Sequence, residues 1–146
     1  MLKIVIDTNA LIDAETDAYH FASRIIDLVV NGQIKAYANI STIRENKLLV
    51  GKKIEDDAYL KKIESYFDLV EQVNSEKIDV IEDDPEDNKI LASAIAGNAD
   101  YLITSDKHLL KLETYGHLKI IRPNQFWSIW EDEGEGWAKW LTNFIQ

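Results

Sequence analysis

Short apolar runs rich in β-branched residues alternate with helical patterns along this chain, and this alternation limits the folds open to it. The first run, at residues 2–6, has the composition of a strand that is buried on both faces. Alternating strands and helices favour a mostly parallel sheet with right-handed crossovers and helices on both faces. The sequence therefore predicts one three-layer α/β/α domain with a sheet of about five strands.

The bounds of these elements follow from apolar periodicity and from residues that stop helices. Strands are predicted at residues 2–6, 35–38, 78–81, 101–104 and 118–121. Helices are predicted at residues 17–30, 40–50, 55–73, 85–96 and 107–112, with Gly51 as the end of the second helix.

The C-terminal end of the chain differs in character from the rest. Residues 1–130 form the predicted domain, and residues 131–146 form an extension with an acidic joint followed by a short amphipathic helix. The apolar stripe of that helix consists of Trp137, Trp140, Leu141, Phe144 and Ile145. This stripe either docks on its own domain or offers a surface to a partner.

Composition excludes several classes of protein. The absence of cysteine excludes disulfide scaffolds, thiolate metal sites and cysteine nucleophiles. No signal-peptide pattern is present and no apolar run approaches the ~20 residues that a bilayer requires, so we expect a cytoplasmic protein without membrane contact. The net charge of −10 argues against tight non-specific binding to nucleic acid, but clustered carboxylates that hold cations would also produce it.

Acidic residues follow several predicted strands at their carboxyl ends. Asp7 follows the first strand, Asp87 lies after the third, and Asp106 follows the fourth. Ligands of parallel sheets bind at this edge, and Glu45, early in the helix after the second strand, can face it too. Carboxylates ~4 Å apart repel by about 4 kcal/mol per pair at an effective dielectric of 20. Such a cluster suits Mg²⁺ or Mn²⁺ and metal-assisted phosphodiester hydrolysis.

Each acid also has a purely structural interpretation. Asp84 followed by Pro85, with Asp87 at the third helical position, is the pattern of a helix N-terminus, and Asp106 can cap the helix that follows it. Asp7 can be a turn residue, and Glu45 can be an ordinary surface glutamate. The occurrence of all these acids at one sheet edge favours the metal interpretation.

Four segments of the chain resemble the PIN-domain family of nucleases, particularly the VapC-like toxins of bacterial and archaeal toxin–antitoxin systems. They are IVIDTNALID at 4–13, ISTIRENKLLV at 40–50, DPEDNKILASAIAGNADYLITSDKHLL at 84–110 and IIRPNQFWSIW at 120–130. The resemblance implies the PIN-like α/β/α fold and an endoribonuclease in which water activated by one or two Mg²⁺ or Mn²⁺ ions attacks phosphorus. It also implies an RNA substrate, a cognate antitoxin and a homodimer or higher homo-oligomer.

The resemblance also assigns roles to individual residues. The acids that match the family's catalytic residues and metal ligands are Asp7, Glu45, Asp87 and Asp106, with Asp84 as an alternative metal ligand. The residues that match supporting positions around these acids are Thr8, Asn9, Thr104 and Ser105. Further candidates, for contact with the substrate, are Arg44, Lys47, Lys89 and His108, each of which can also be an ordinary surface residue.

Two other functions compete with the nuclease hypothesis. A haloacid-dehalogenase-type phosphatase also begins with a strand that ends in Asp, but it needs a second acid where this chain has Asn9. A catalytically silent PIN-like module for protein binding is the other alternative, and the presence of all four acids argues against it. A receiver-type signalling domain lacks support, because no convincing acid pair follows the first strand.

Overall fold

Strands and helices alternate along the part of the chain that the computed structural model describes, residues 1–15 and 21–133. The strands are β1 (Lys3–Ile6), β2 (Lys35–Asn39), β3 (Glu71–Val73), β4 (Tyr101–Ile103), β5 (Thr114–Tyr115) and β6 (Leu118–Ile121). The helices are α1 (Thr8–Asp13), α2 (Phe21–Val30), α3 (Ile43–Lys53), α4 (Asp57–Leu69), α5 (Pro85–Ala96) and α6 (Lys107–Leu110), followed by α7 at residues 123–133. In the described ranges, no helix combines the length and the apolar character that crossing a membrane requires. The predicted C-terminal amphipathic helix, and the predicted start of the helix at 17–30, lie outside the described residues.

The strand order places the first strand at the centre of the sheet. The order is β3-β2-β1-β4-β6-β5, and every neighbouring pair is parallel except β5 and β6. The chain runs outward from β1 through β2 to β3 and then crosses to β4, on the other side of β1. The order therefore reverses between β1 and β4, and open α/β sheets bind ligands outside the carboxyl ends of the strands at such a reversal.

Apolar cores cover both faces of the sheet. Ile4 and Ile6 enter the core formed with α1 to α4, whereas Val5 enters the core formed with α5 and α6. Phe126 of α7 is fully buried in the first core, where its ring meets Tyr101 edge-to-face at 5.5 Å between ring centroids. Burial on both faces explains the uninterrupted apolar run of β1. The predicted three-layer α/β/α fold is confirmed.

The predicted strand at 78–81 is wrong, because this segment is a loop held by the side chain of Asn88. Asn88 Oδ1 accepts hydrogen bonds from the N–H groups of Val80 and Ile81 at 2.9 and 2.8 Å, and its Nδ2 donates to the Ile81 carbonyl at 2.8 Å. A buried amide thus replaces the neighbouring strand that would otherwise satisfy these backbone groups. The periodicity of apolar residues cannot show that a side-chain amide takes the place of strand pairing here.

The strand next to β2 is β3, which lies within the predicted helix at 55–73. Helix α4 ends at Leu69, and Val70 is already extended, with φ −61° and ψ 139°. Val70 continues the helical spacing of the apolar residues, so the pattern alone extends the helix too far. Parallel pairing with β2 turns residues 71–73 into an edge strand.

Three further differences concern short elements and a glycine. Helix α1 directly follows β1, and its six residues are too few for a periodic pattern to show. Gly51 does not end α3, which continues to Lys53. The two-residue strand β5 forms an antiparallel hairpin with β6 through Gly116, whose φ of 62° favours glycine. In the described ranges the sheet therefore has six strands where about five are predicted.

Candidate metal centre

Three of the predicted acids cap helices, and each cap uses only one carboxylate oxygen. Asp7 caps α1, Asp84 caps α5 and Asp106 caps α6. In each case Oδ1 accepts a hydrogen bond from a backbone N–H two or three residues later, at 3.2, 3.1 and 2.7 Å respectively. The predicted caps by Asp84 and Asp106 are therefore confirmed, and Asp7, interpreted as a possible turn residue, is a helix cap instead. In all three acids the cap leaves Oδ2 available for another contact.

Thr104 links two of the predicted acids at the point where the strand order reverses. The Thr104 hydroxyl donates to Asp7 Oδ2 at 2.9 Å and accepts a hydrogen bond from the Asp106 N–H at 3.0 Å. Burial raises the pKa of Asp7 above its usual range, and the negative charge of Asp106 adds to this effect, while the Thr104 hydrogen bond opposes it. Asp7 is thus a buried carboxylate with a fixed orientation.

Asp87 carries the least satisfied polar atom of the site. Its side chain is 6% exposed, and among the described residues no donor lies within hydrogen-bond distance of its Oδ2. Burial raises the pKa of Asp87 to about 7, helped by a hydrogen bond that only the protonated form can donate to Asp84 and by the charges of Asp106, Asp84 and Asp7. A buried carboxylate oxygen is costly in free energy unless a proton or a cation meets it.

Asp84 shows the opposite behaviour to Asp87, three residues away. The backbone N–H of Asp87 donates to Asp84, and this bond lowers the pKa of Asp84 below its usual range. One carboxyl group of the pair is thus held ionised while its neighbour is pushed towards protonation. A divalent cation between them would allow both to ionise.

Four side chains converge on the space around Asp87 Oδ2. Of the described residues, Asp84, Asp87, Asp106 and His108 each bring one ligand atom within 4.8 Å of the other three. His108 Nδ1 lies 3.5 Å from Asp84 Oδ2, 3.6 Å from Asp106 Oδ1 and 3.9 Å from Asp87 Oδ2. Three carboxylates, an imidazole and one buried oxygen without a donor fit a divalent cation.

A cleft of about 280 Å³ opens between the carboxyl ends of β1 and β2 and the helices α3 and α5. The predicted site residues that line it are Asp7, Thr8, Asn9, Asp87 and Lys89. The Lys89 ammonium lies 3.3 Å from the Glu86 carboxylate in a half-exposed ion pair. The cleft therefore joins two of the acids to one cationic side chain.

Glu45 is exposed on α3 and is not among the residues that line the cleft. Thr42, directly before α3, and Asn46 and Leu49, within it, do line the cleft. Residues three and four apart share a helix face, so Glu45 lies at the rim, one turn from Thr42 and from Leu49. Its role as a metal ligand stays a prediction.

Three other predicted residues are not among those that line the cleft. Arg44 and Lys47 are exposed on α3, and Lys47 lines a separate groove against α4. Ser105 is exposed and lines a second pocket beside Arg122. Among the described residues the structure thus brings together Asp7, Asp84, Asp87, Asp106 and His108. The contact of Arg44 and Lys47 with the substrate and the supporting role of Ser105 stay predictions.

Two asparagines of the cleft are missing from the sequence-based site. Asn39 ends β2 at the same sheet edge as Asp7, is buried, and accepts a hydrogen bond from the Ser41 N–H at 2.8 Å. A polar residue directly after an apolar strand is the pattern that identifies Asp7, so the sequence contained this information. Asn46 is adjacent to Glu45 in α3, and nothing in the sequence shows which of the two faces the cleft.

Comparison with known protein families gives a match to the PIN domain. The profile of that family matches residues 3–108, well over half of the chain. The matched range begins at β1, ends at His108 and contains every residue of the candidate site. A search of curated proteins finds no match.

Proposed function

The chain belongs to the PIN-domain family, and on this premise we propose that it is an endoribonuclease that hydrolyses RNA with Mg²⁺ or Mn²⁺. PIN domains are generally nucleases, which use divalent metal ions. Membership of this family leaves the haloacid-dehalogenase-type phosphatase without support.

The observation that carries this proposal is the unsatisfied carboxylate oxygen of Asp87. It is buried, lacks a donor among the described residues, and lies beside Asp84 and Asp106. Burial raises the pKa of Asp87 to about 7, and the negative charges of the neighbouring acids add to this shift. A cation that neutralised the cluster would remove the repulsion between these charges. Asp84, Asp87 and Asp106 would hold the ion, with Asp7 beside them.

The chain's own residues orient the reactants. A bound divalent ion supplies an activated water and neutralises charge that develops on the phosphate. The helix caps fix one oxygen of Asp84 and of Asp106, and Thr104 fixes Asp7, so the carboxylates need little rearrangement. The cleft beside them admits an RNA backbone, and Lys89 can exchange Glu86 for a phosphate.

Replacement of Asp87 by Asn tests the proposal. In Mn²⁺ we expect Asp87→Asn to cleave a single-stranded RNA at least about 10³-fold more slowly than wild type, because it loses a charge that acts on the metal. Asp68→Asn, which alters an exposed acid on α4, is the matched control and should cleave at the wild-type rate. Cleavage is measured with a labelled RNA and with DNA of the same sequence, with and without EDTA.

Two outcomes would contradict the proposal. Equal rates for Asp87→Asn and wild type would remove Asp87 from the site, and cleavage that persists in EDTA would remove the metal. A folded wild-type protein that neither binds Mn²⁺ at millimolar concentration nor cleaves RNA would instead favour the catalytically silent binding module.

We further propose that the protein is the toxin of a toxin–antitoxin pair and acts in the cytoplasm. The support is the resemblance of its four segments to VapC-like toxins. A cognate antitoxin would bind it and suppress cleavage, and the toxin would form a homodimer or a higher homo-oligomer. Co-expression with the product of the neighbouring open reading frame, followed by co-purification, a cleavage assay and light scattering, tests all three expectations.

A further inference from the structure

We propose that His108 is a metal ligand and that its nitrogen makes this site prefer a first-row transition ion, such as Mn²⁺ or Co²⁺, over Mg²⁺. The inference rests on the proposed function, since it concerns the metal of the same site. The family resemblance assigns metal binding to acids alone, so a histidine ligand goes beyond what that resemblance implies.

The distances around His108 match the spacing of ligands on one ion. Two atoms that both lie about 2.0–2.2 Å from an ion are separated by roughly 3.0–4.4 Å, depending on the angle between them. The three distances from His108 Nδ1 to the carboxylate oxygens are 3.5, 3.6 and 3.9 Å. All three exceed a normal N–H···O hydrogen bond, so the imidazole faces the three acids without bonding closely to any of them.

The unsatisfied oxygen of Asp87 gives an independent observation. Asp87 Oδ2 is buried and has no donor among the described residues, although a histidine nitrogen lies only 3.9 Å away. A histidine that served as a hydrogen-bond partner for Asp87 would close this gap. A cation bound by both His108 Nδ1 and Asp87 Oδ2 would fill the space between them and would satisfy the buried oxygen.

The backbone fixes His108 while its ring remains accessible. Its N–H donates to Asp106 Oδ1 at 2.7 Å as part of the cap of α6, and its side chain is 66% exposed. A substitution at this position therefore keeps the cap, which uses the main chain, and disturbs no core packing. His117, in the turn between β5 and β6, is equally an exposed histidine and lies outside the cluster.

The chemistry of the donor set leads to the metal preference. Mg²⁺ takes oxygen ligands and keeps several of its waters, whereas imidazole suits transition ions. A site made only of carboxylates would accept Mg²⁺ and Mn²⁺ alike. One nitrogen among three carboxylates shifts the balance towards Mn²⁺ and, further along the affinity series, towards Co²⁺.

The experiment compares wild type with His108→Asp, which substitutes an oxygen ligand, and with His108→Ala, which removes the ligand. Calorimetry should show that wild type binds Mn²⁺ about tenfold or more tightly than Mg²⁺, and that His108→Asp reduces this ratio about tenfold. Pulsed electron paramagnetic resonance of the Mn²⁺ complex should show coupling to ¹⁴N of imidazole in wild type and in the control His117→Asp. Both His108 variants should lose this coupling.

Several results would overturn the inference. Wild-type protein without ¹⁴N coupling, coupling that survives in His108→Asp, or an unchanged ratio of Mn²⁺ to Mg²⁺ affinity would each exclude His108 as a ligand. If one of these results were obtained with a protein that still cleaves RNA in a metal-dependent way, the nuclease proposal would be unaffected. Conversely, ¹⁴N coupling in a protein that cleaves no RNA would support the ligand and contradict the nuclease.

Discussion

At Asp87, folding and the proposed metal binding make opposite demands on one side chain. Burial next to Asp84 and Asp106 disfavours the carboxylate and raises its pKa to about 7, while a metal ligand must be ionised. The metal-free protein therefore holds an acid that would be more stable as a neutral group. Such conflicts between stability and activity are common at functional sites.

The raised pKa predicts how Asp87 affects stability without metal. The pKa of Asp87 in the folded protein is about 7, above the ordinary value of 3.8. Between pH 3.8 and about 7 the native state therefore binds a proton that the unfolded state has released. The stability contribution of Asp87 is thus lost as the pH rises from about 4 to about 7. In EDTA at pH 8, Asp87→Asn should melt about 3–5 °C higher than wild type, equivalent to roughly 1 kcal/mol, and the difference should shrink at pH 5.

Differential scanning fluorimetry at both pH values measures this effect. Mn²⁺ should raise the melting temperature of wild type and should affect Asp87→Asn much less. Asp68→Asn controls for the general effect of removing a negative charge. If Asp87→Asn melted below wild type in EDTA at pH 8, the ionised carboxylate of Asp87 would not destabilise the folded protein.

Among the elements, helix α5 does the most to build the site. Asp84 caps it, Asp87 lies in its first turn, and Asn88 bonds to the preceding loop through Val80 and Ile81. The other end of the helix packs closely on β2: a Cβ added at Gly97 would lie 2.8 Å from Cγ of Tyr37. Contacts at both ends therefore fix the position of the helix that carries the central acid.

Two glycine-to-alanine substitutions distinguish packing from helix propensity. Gly51 lies in the helical part of α3, and an added Cβ there would meet nothing within 4 Å, so Gly51→Ala should stabilise the protein by about 0.5–1 kcal/mol. Gly97→Ala should destabilise it by about 1–3 kcal/mol, because the ring of Tyr37 must move. Urea denaturation measures both changes, and equal effects of the two substitutions would contradict the packing argument.

At the scale of the whole molecule, the charge of −10 restricts how the proposed RNA substrate could be bound. Of the lysine and arginine side chains predicted to contact the substrate, Lys89 lines the cleft, whereas Arg44 and Lys47 are exposed on α3. Each phosphate contact with a single strand contributes about −0.7 to the slope of log affinity against log salt concentration. Three contacts would give a slope of about −2.

Fluorescence anisotropy of a labelled RNA measures the slope of log affinity against log salt concentration, in increasing KCl at constant Mn²⁺. The protein used is Asp106→Asn, which should bind the RNA without cleaving it. In this background, Lys89→Gln should make the slope shallower by about 0.7. The control Lys119→Gln, which alters an exposed lysine of β6, should leave the slope unchanged. A slope steeper than about −4 would show that an additional basic surface binds the RNA.

The layers of the fold and the acids at the sheet edge could be predicted because both depend on local patterns. Buried strands have continuous apolar runs, and the Asp84-Pro85 pair is a helix start that the structure confirms. The loop at 78–81 could not be predicted, since it depends on the side chain of Asn88, which lies in the next helix, eight residues after Val80. Tertiary contacts of this kind override local preference.

The candidate site was predictable to the extent that it follows strand ends. Asp7 and Asp106 come from β1 and β4, whose pairing places them together. The rotation of α3 about its axis decides whether Glu45 or Asn46 faces the cleft. The apolar and polar residues of α3 are not clearly separated on two faces, so the sequence does not determine this rotation. The sequence offered His108 only as a candidate for contact with the substrate. Its approach to Asp84 depends on how α6 lies against the start of α5, which the sequence does not show.

The hydrogen bond between Thr104 and Asp7 joins positions 97 residues apart, and this separation has a consequence during translation. At about 5–20 residues per second, roughly 5 to 20 s pass between the synthesis of the first acid and that of its partner. Throughout that interval Asp7 is present on the ribosome without β4 beside it. A nascent chain of the proposed nuclease therefore cannot assemble its cluster of acids until β4 and Asp106 have been made.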